Sequence, residues 1–203
     1  MRRLLAPCLL VLLATGCAFS GKRAPAAPVL PEAEFRAGDL AFRTGTGLYS
    51  SLLNLQAEQI QYSHVGVLVR ENGQWLVVHA VPGEVEGPDD FERVKAETPA
   101  LFFAPDRARH GALVHTGLPD ARRLGERALR MVRDSVRFDG NFDLDDTTEV
   151  YCTELVYRLF LAEGIDLSEG RRSYANLPLL SGKGTLSPED LLRYSGNERY
   201  FVY

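Results

Sequence analysis

Three features are missing from this sequence: a hydrophobic run long enough to cross a membrane, a basic patch and an internal repeat. The apolar stretch at residues 4–14 is far shorter than the roughly 20 residues that a membrane-spanning helix needs. The net charge of -4 comes from interspersed acidic and basic residues, and the one basic run, residues 107–110, is short. Gly45-Thr46-Gly47 lacks the lysine and the spacing of a phosphate-binding loop. We therefore expect no membrane-spanning helix, no nucleic-acid partner and no cofactor.

The N-terminus has the layout of a secretory signal. Two arginines precede the apolar stretch, and Ala14-Thr15-Gly16-Cys17 closes it. This ending resembles a bacterial lipobox, in which the cysteine is lipidated and becomes the mature N-terminus. An ordinary cleaved signal with an incidental cysteine is the alternative. We expect residues 1–16 to be a lipoprotein signal peptide and Cys17 to carry the lipid.

The segment after Cys17 favours a tether. Residues 21–34 are rich in Pro and Ala and have no periodicity, as a surface linker would. Two or more acyl chains hold a protein stably at a membrane, because each buried methylene contributes about 0.8 kcal/mol. We assign residues 17–37 to a lipidated N-terminus and linker. The lipid anchor would place the protein in the bacterial cell envelope, at the outer membrane facing the periplasm.

Cysteine is scarce, and its three positions are informative. Cys8 is removed with the signal and Cys17 has no thiol once lipidated, so Cys152 is the one thiol left for the folded part. A lone cysteine in a compartment that favours disulfides is either a buried structural residue or a reactive thiol. The residues around it decide between the two.

Residues 38–203 are predicted to form one domain. Strand patterns occur at residues 38–43, 62–69, 74–81, 100–104, 112–116 and 200–203, and helical patterns occur at residues 48–59, 120–137 and 151–164 and from Ser187 onward. Because helices and strands are grouped rather than strictly alternating, we expect an α+β domain.

Asn72-Gly73 separates two β-branched runs, which is the strongest short-range signal for a hairpin. If these two residues form the whole turn, counting outward places Gly66 opposite His79. His64 is then the diagonal neighbour of His79 on the same face, about 7–8 Å away at Cα. Tyr62, two residues before His64, is expected on that face as well. A three-residue turn would move His79 to the other face.

Cys152 lies at the beginning of a predicted helix. A cysteine in the first turn of a helix feels the positive end of the macrodipole, which favours the thiolate. A neighbouring imidazole would complete the activation, with His64 as the base and His79 as the group that orients it. Backbone N–H groups at the helix start would stabilise an oxyanion. The alternative is a buried structural cysteine with two satisfied core histidines.

Four segments carry a resemblance to a known family. They are Gly38-Asp39-Leu40-Ala41-Phe42, Tyr62-Ser63-His64-Val65-Gly66-Val67, Val78-His79-Ala80 and Tyr151-Cys152-Thr153-Glu154-Leu155-Val156. In this order they resemble the permuted papain-like cysteine hydrolases of the NlpC superfamily. The likeness is greatest to the YiiX/YebB-like branch and more distant to lecithin retinol acyltransferase relatives. In the permuted branch the histidine strand precedes the cysteine, as it does here. The resemblance spans about residues 38–164.

The resemblance implies a fold, a reaction and a set of roles. The fold is a circularly permuted papain-like one, with a small antiparallel sheet packed against the helix that bears the cysteine. Cys152 would be the nucleophile, His64 the general base and His79 the third polar residue, a position that varies within the family. The reaction would be hydrolysis, or acyl transfer, at an amide or ester carbonyl of a cell-wall peptide or a lipid. Tyr62 would support the oxyanion or simply pack in the sheet.

Two other classes of function stay open. Cys152, His64 and His79 could bind zinc with one position free, and the domain could be a non-catalytic binding module tethered to the envelope. Glu154 matches the family motif but should face away from Cys152 in a helix, which favours a structural hydrogen bond. Asp39 is expected in a turn at a strand start, and His115 is expected to be structural.

Overall fold

The computed structural model describes residues 26–46, 61–84, 87–88, 90–174 and 184–203. These residues form an α+β domain, as the sequence predicts. Their strands are β1 (Leu40–Gly45), β2 (His64–Glu71), β3 (Gln74–Val81), β4 (Arg93–Glu97), β5 (Ala108–His115), β6 (Arg137–Phe138), β7 (Glu149–Val150), β8 (Ser173–Tyr174), β9 (Gly184–Thr185) and β10 (Glu198–Val202). Their helices are α1 (Pro99–Phe102), α2 (Arg122–Arg133), α3 (Cys152–Leu161) and α4 (Pro188–Leu192), and Glu32–Glu34 forms a 3-10 turn. No helix of the described residues is long and apolar enough to cross a membrane.

Eight of these strands form one curled sheet in the order β10-β5-β1-β2-β3-β4-β6-β7. Its neighbouring strands are antiparallel except for the parallel pair of β6 and β7. β8 and β9 make a separate two-stranded ribbon. The main sheet is therefore larger than the small sheet that the family resemblance implies, because short strands extend it beyond β4.

The hairpin of β2 and β3 has the two-residue turn that the sequence predicts. Asn72 and Gly73 both have positive φ, at 50° and 85°, as a type I′ turn requires. Glu71 pairs with Gln74 next to the turn, and the ladder continues to Val67 opposite Val78. The register on which the histidine pairing depends is confirmed.

The sheet has a core on each face. On one face α3 packs against the strands, and the cluster includes Leu40, Phe42, Val65, Val67, Cys152, Leu155 and Val156. On the other face α1 covers the strands, and the cluster includes Ala41, Leu68, Val77, Phe102 and Phe103. Alternate residues of β1 and β2 therefore face different cores, as the pleat of a strand requires.

Residues 100–104 were expected to be a strand, and this prediction is wrong. Thr98 accepts a hydrogen bond from the N–H of Leu101 at 3.3 Å, and Pro99 occupies the first position of α1. A capping threonine followed by proline is a helix start, and it outweighs the apolar run that follows. The helix buries Phe102 against the sheet.

Other boundaries shift by a few residues. Asp120 accepts the N–H of Arg122 at 2.9 Å, and α2 ends at Arg133 rather than near residue 137 because residues 137–138 join the sheet as β6. α3 ends at Leu161, three residues before Gly164, whose φ is 82°. The predicted helix at residues 48–59, the signal peptide and Cys17 lie outside the described residues.

Candidate active site

Two histidines meet on neighbouring strands. His64 is the first residue of β2, and its Nε2 lies 2.9 Å from Nδ1 of His79 in β3. Their ring centroids are 5.1 Å apart. Gly66 permits this approach, because a Cβ there would lie 2.5 Å from Cγ1 of Val77 and 3.0 Å from Cβ of His79. The structure thus brings together the two histidines that the hairpin register pairs.

The imidazole pair is buried beside an aromatic ring and a guanidinium. His79 is fully buried and His64 is 5% exposed. The ring of Phe102 lies 5.3 Å from that of His79 and 5.8 Å from that of His64, and the guanidinium of Arg43 lies 4.4 Å above it. Burial is the largest cause that lowers the pKa of both histidines, and the charge of Arg43 adds to it. Both rings are therefore neutral at pH 7.

Cys152 is the first residue of α3 and is 9% exposed. Glu154 anchors this helix start by accepting the N–H of Tyr151 at 3.2 Å, which is the structural role expected of it. Burial raises the pKa of the Cys152 thiol to about 11, although the N–H groups of Val65, Cys152 and Thr153 favour the thiolate. The sequence predicts a thiolate from the helix dipole, but the cost of burying the charge is larger, so the resting residue is a thiol.

Cys152 and the histidines approach β2 from opposite faces. Cys152 packs in the α3-side cluster, whereas the ring of His64 packs against Phe102 of the α1-side cluster. They meet at the peptide unit between His64 and Val65, whose N–H reaches the thiol. Within the described residues, no hydrogen bond joins Sγ of Cys152 to His64, and the ring nitrogen of His64 that faces His79 is Nε2 rather than Nδ1.

Sequence reasoning missed Glu97, the last residue of β4. Its Oε1 lies 3.1 Å from Nε2 of His79, close but not aligned as a hydrogen bond. Its Oε2 accepts a hydrogen bond of 2.6 Å from Arg107, and Arg43 lies 3.7 Å from Oε1. Burial alone would raise the pKa of Glu97, but the contact with His79 and the two arginines hold it below its ordinary value. A usable signal was present, because charged residues alternate with Val94 and Ala96 along this strand.

The charge network extends beyond Glu97. Glu84 binds both arginines, through Arg107 at 2.9 Å and through a short contact with Arg43. Lys95 donates to the backbone carbonyl of Glu84 and to Asp90, the latter at 2.6 Å. The charges of this network therefore balance one another around the buried face that holds the histidines.

Tyr62 does not share the surroundings of the histidines. It precedes β2, so the strand alternation that the sequence argument used does not extend to it. Its ring packs against Phe42 and His110, in the same core cluster as Cys152. Its hydroxyl is buried and has no hydrogen-bond partner in the described part of the chain. Its role at an oxyanion stays a prediction.

Asp39 and His115 form a second buried polar cluster. Nδ1 of His115 lies 2.9 Å from Oδ1 of Asp39, and the hydroxyl of Tyr200 donates to Oδ2 at 2.9 Å. The rings of His115 and Tyr200 stack with centroids 4.0 Å apart. These contacts join the residue just before β1 to the end of β5 and to β10.

One group among the described residues has ligand atoms close enough to share a metal ion. It consists of His79, Glu84 and Glu97, whose ligand atoms lie within 4.8 Å of one another. Arg43 and Arg107 already bind both carboxylates. A cation placed there would face two guanidinium groups, so these residues do not fit a metal in this arrangement.

The zinc site that the sequence left open has a similar difficulty. It would use Cys152, His64 and His79. Nε2 of His64 and Nδ1 of His79 are instead occupied by their mutual hydrogen bond. Among the described residues, the group with metal-ligand spacing includes neither Cys152 nor His64.

No protein-family model and no curated protein matches the sequence. Among solved structures, the chain is similar to the crystal structure of the metalloprotein yiiX from Escherichia coli O157:H7, DUF1105, with a TM-score of 0.66. The fold is YiiX-like. The two sequences are 18% identical, and the match covers 83% of this chain and 97% of the yiiX chain. At this identity the likeness concerns the fold alone, and it agrees with the YiiX-like branch that the sequence motifs resemble.

Proposed function

We propose that the chain is a cysteine hydrolase of the permuted papain-like type, with Cys152 as nucleophile, His64 as general base and His79 as the residue that orients it. The observation that carries the proposal is the 2.9 Å contact between the two imidazoles, on the strand whose Val65 N–H reaches the thiol. A nucleophile beside a base that a third group orients is the general arrangement of covalent catalysis.

The neutral resting state defines the first step. The step requires Nδ1 of His64 and Sγ, which share no hydrogen bond in the described residues, to come within hydrogen-bond reach when substrate binds. Nδ1 then takes the proton from Sγ as Sγ attacks the carbonyl carbon, so charge develops only in the transition state. The bond from the carbonyl carbon to the leaving nitrogen or oxygen then breaks, and His64 returns the proton to that atom. Water, deprotonated by His64, attacks the carbonyl carbon of the resulting thioester. The C–S bond then breaks, the carboxylic acid leaves, and His64 returns the proton to Sγ. In this proposal the N–H groups at the start of α3 stabilise the oxyanion.

The substrate class follows from the family resemblance and the N-terminus together. An amide of a cell-wall peptide or an acyl ester of a lipid is within reach of a lipoprotein anchored through Cys17 at the outer membrane. The enzyme would work on the periplasmic side, where a free thiol is unusual unless it has a function. Acyl transfer to a second lipid would use the same thioester.

A chromogenic ester tests the nucleophile and the base. We would use the full chain with Cys8 and Cys17 changed to Ser, so that Cys152 is the single thiol, and p-nitrophenyl acetate or octanoate as the acyl donor. We expect a burst of p-nitrophenolate and one acyl group added to Cys152 by intact mass spectrometry. His64→Ala should slow acylation by roughly 10²- to 10⁴-fold, the range for a general base.

The matched control is His110→Gln. His110 bonds to Thr44 at 2.8 Å, away from the two site histidines, so its loss should leave the acylation rate unchanged. Cys152→Ala should abolish the adduct. A folded protein that is not acylated, or whose acylation does not depend on His64, would contradict the catalytic proposal and favour a binding module on the same fold.

A further inference from the structure

The hydrogen bond between the two imidazoles couples their tautomers, so the nitrogen that carries the hydrogen in one ring fixes the nitrogen that carries it in the other. Each neutral imidazole has one N–H donor and one bare acceptor nitrogen. His64 and His79 share one hydrogen bond, so only one of them donates in it. The group that binds the far nitrogen of His79 therefore decides which nitrogen of His64 is bare.

Glu97 is the group at that far nitrogen. An ionised carboxylate only accepts, so Nε2 of His79, 3.1 Å from Oε1, carries the hydrogen. Nδ1 of His79 is then bare and accepts from Nε2 of His64. The bare nitrogen of His64 is consequently Nδ1, the ring nitrogen that does not face His79.

The surroundings of Glu97 keep it ionised and fixed. The residue is 8% exposed, and the 2.6 Å hydrogen bond from Arg107 holds Oε2 on the side away from His79. Arg43 adds positive charge 3.7 Å from Oε1. The contact of Oε1 with His79 is short but poorly aligned, so its direction depends on how Arg107 holds the carboxylate.

We propose that Glu97 is a positioning residue whose carboxylate sets the tautomers of His79 and His64, so that Nδ1 of His64 is the nitrogen that receives the thiol proton. The catalytic consequence rests on the proposed function of Cys152, whereas the tautomer assignment does not. Glu97 touches no substrate; it acts through the two imidazoles.

Glu97→Gln tests the proposal because Arg107 dictates how the new amide turns. Arg107 donates to the Oε2 position, so the amide oxygen occupies that position and the NH₂ group faces Nε2 of His79. Arg43 opposes this orientation only weakly, since it lies 3.7 Å away rather than 2.6 Å. Both tautomers then invert, and Nδ1 of His64 becomes an N–H that cannot accept a proton.

The readout is ¹⁵N NMR of the full chain labelled at histidine, which distinguishes protonated from bare ring nitrogens. The chain has four histidines, and His110→Gln and His115→Gln assign the other two. We expect His64 to change from the Nε2–H to the Nδ1–H form in Glu97→Gln. The kcat/KM for p-nitrophenyl acetate should fall by roughly 10²- to 10⁴-fold through kcat, because a general base is lost.

Glu84→Gln is the matched control. Glu84 binds the same two arginines, Arg43 and Arg107, but no hydrogen bond or ion pair joins it to a histidine in the described structure. Its charge also lies near His79, so this variant separates loss of a nearby charge from loss of the contact that Glu97 makes. We expect its histidine tautomers to be those of the wild type. Inversion in this variant as well would overturn the assignment to Glu97, because loss of charge alone would then suffice.

The remaining outcomes separate this proposal from the proposed function. An unchanged His64 tautomer in Glu97→Gln overturns the positioning role even if the wild type is acylated as expected. Inversion in a protein without His64-dependent acylation supports the positioning role while the proposed function fails. Stoichiometric zinc bound at the His79 ring in the purified chain would overturn the role of Glu97, because the metal would then set the tautomer.

Discussion

The thiol of Cys152 should make the folded protein lose stability as the solution becomes alkaline. Burial raises the pKa of this thiol from 9.0 to about 11 in the folded state. A group whose pKa is higher in the folded than in the unfolded chain contributes stability below the unfolded value. That contribution is lost as the pH rises from 9.0 through the folded value, because only the unfolded chain releases the proton easily.

The magnitude follows from the size of the shift. One pKa unit corresponds to about 1.4 kcal/mol, so the shift from 9.0 to about 11 amounts to about 3 kcal/mol when complete. About half of this, roughly 1.4 kcal/mol, should be lost by pH 10. Tyr151 and Tyr203 also have raised pKa values, but they are present in the wild type and in a Cys152→Ala variant alike.

The assay is urea unfolding between pH 7 and pH 10. We would compare the full chain carrying Ser at positions 8 and 17 with the same chain carrying Cys152→Ala. The cavity left by the missing sulfur lowers the stability of the variant by a constant amount, so the pH dependence of the difference isolates the thiol. We expect the advantage of the cysteine-containing protein to shrink above pH 9.

Two results would refute this reasoning. A difference that stays constant up to pH 10 would mean that burial does not disfavour the thiolate. An advantage that grows between pH 7 and pH 9 would mean that the folded pKa lies below 9.0, as in a thiolate–imidazolium pair. The helix dipole would then outweigh burial at the start of α3.

Two further predictions concern the histidine pair. Gly66→Ala should lower the free energy of unfolding by roughly 1–3 kcal/mol, because the new Cβ would lie 2.5 Å from Cγ1 of Val77. Urea unfolding at pH 7 measures this, and a stability equal to the wild type would contradict it. The free energy of unfolding should also fall below pH 6.5. In the unfolded chain His64 and His79 take up protons there, whereas their lowered pKa values keep the folded rings neutral. Urea unfolding between about pH 7.5 and pH 5 tests this. His64→Gln should reduce the slope of the unfolding free energy against pH by up to about 1.4 kcal/mol per pH unit. Equal slopes in the two proteins would mean that His64 is protonated in the folded state as readily as in the unfolded chain.

The part of the site that could be predicted depends on local rules. Asn72 and Gly73 adopt the positive φ values that a two-residue turn demands, and the ladder counted from them pairs the strands correctly. The diagonal contact of His64 and His79 follows from that register. The sequence positions alone were enough to predict this contact, because a hairpin pairs residues that are close along the chain.

The part that could not be predicted depends on long-range packing. Glu97 reaches His79 only because β4 pairs with β3, and Arg107 reaches Glu97 from the position just before β5. Phe102 covers the imidazoles from α1, a segment whose apolar run resembles a strand. The protonation of Cys152 likewise depends on how deeply α3 is buried. The sequence places this cysteine at a helix start but does not state its exposure.

The end of the β2–β3 ladder explains how groups on two faces of the sheet come to meet. The paired register runs from Glu71 opposite Gln74 to Val67 opposite Val78, and β2 continues past it to His64. In that last stretch the N–H of Val65 donates to the thiol of Cys152. Adjacent residues of one strand therefore present an imidazole to the α1 side and a backbone donor to the cysteine on the α3 side. The candidate site thus depends on where pairing stops as much as on which residues the motifs contain.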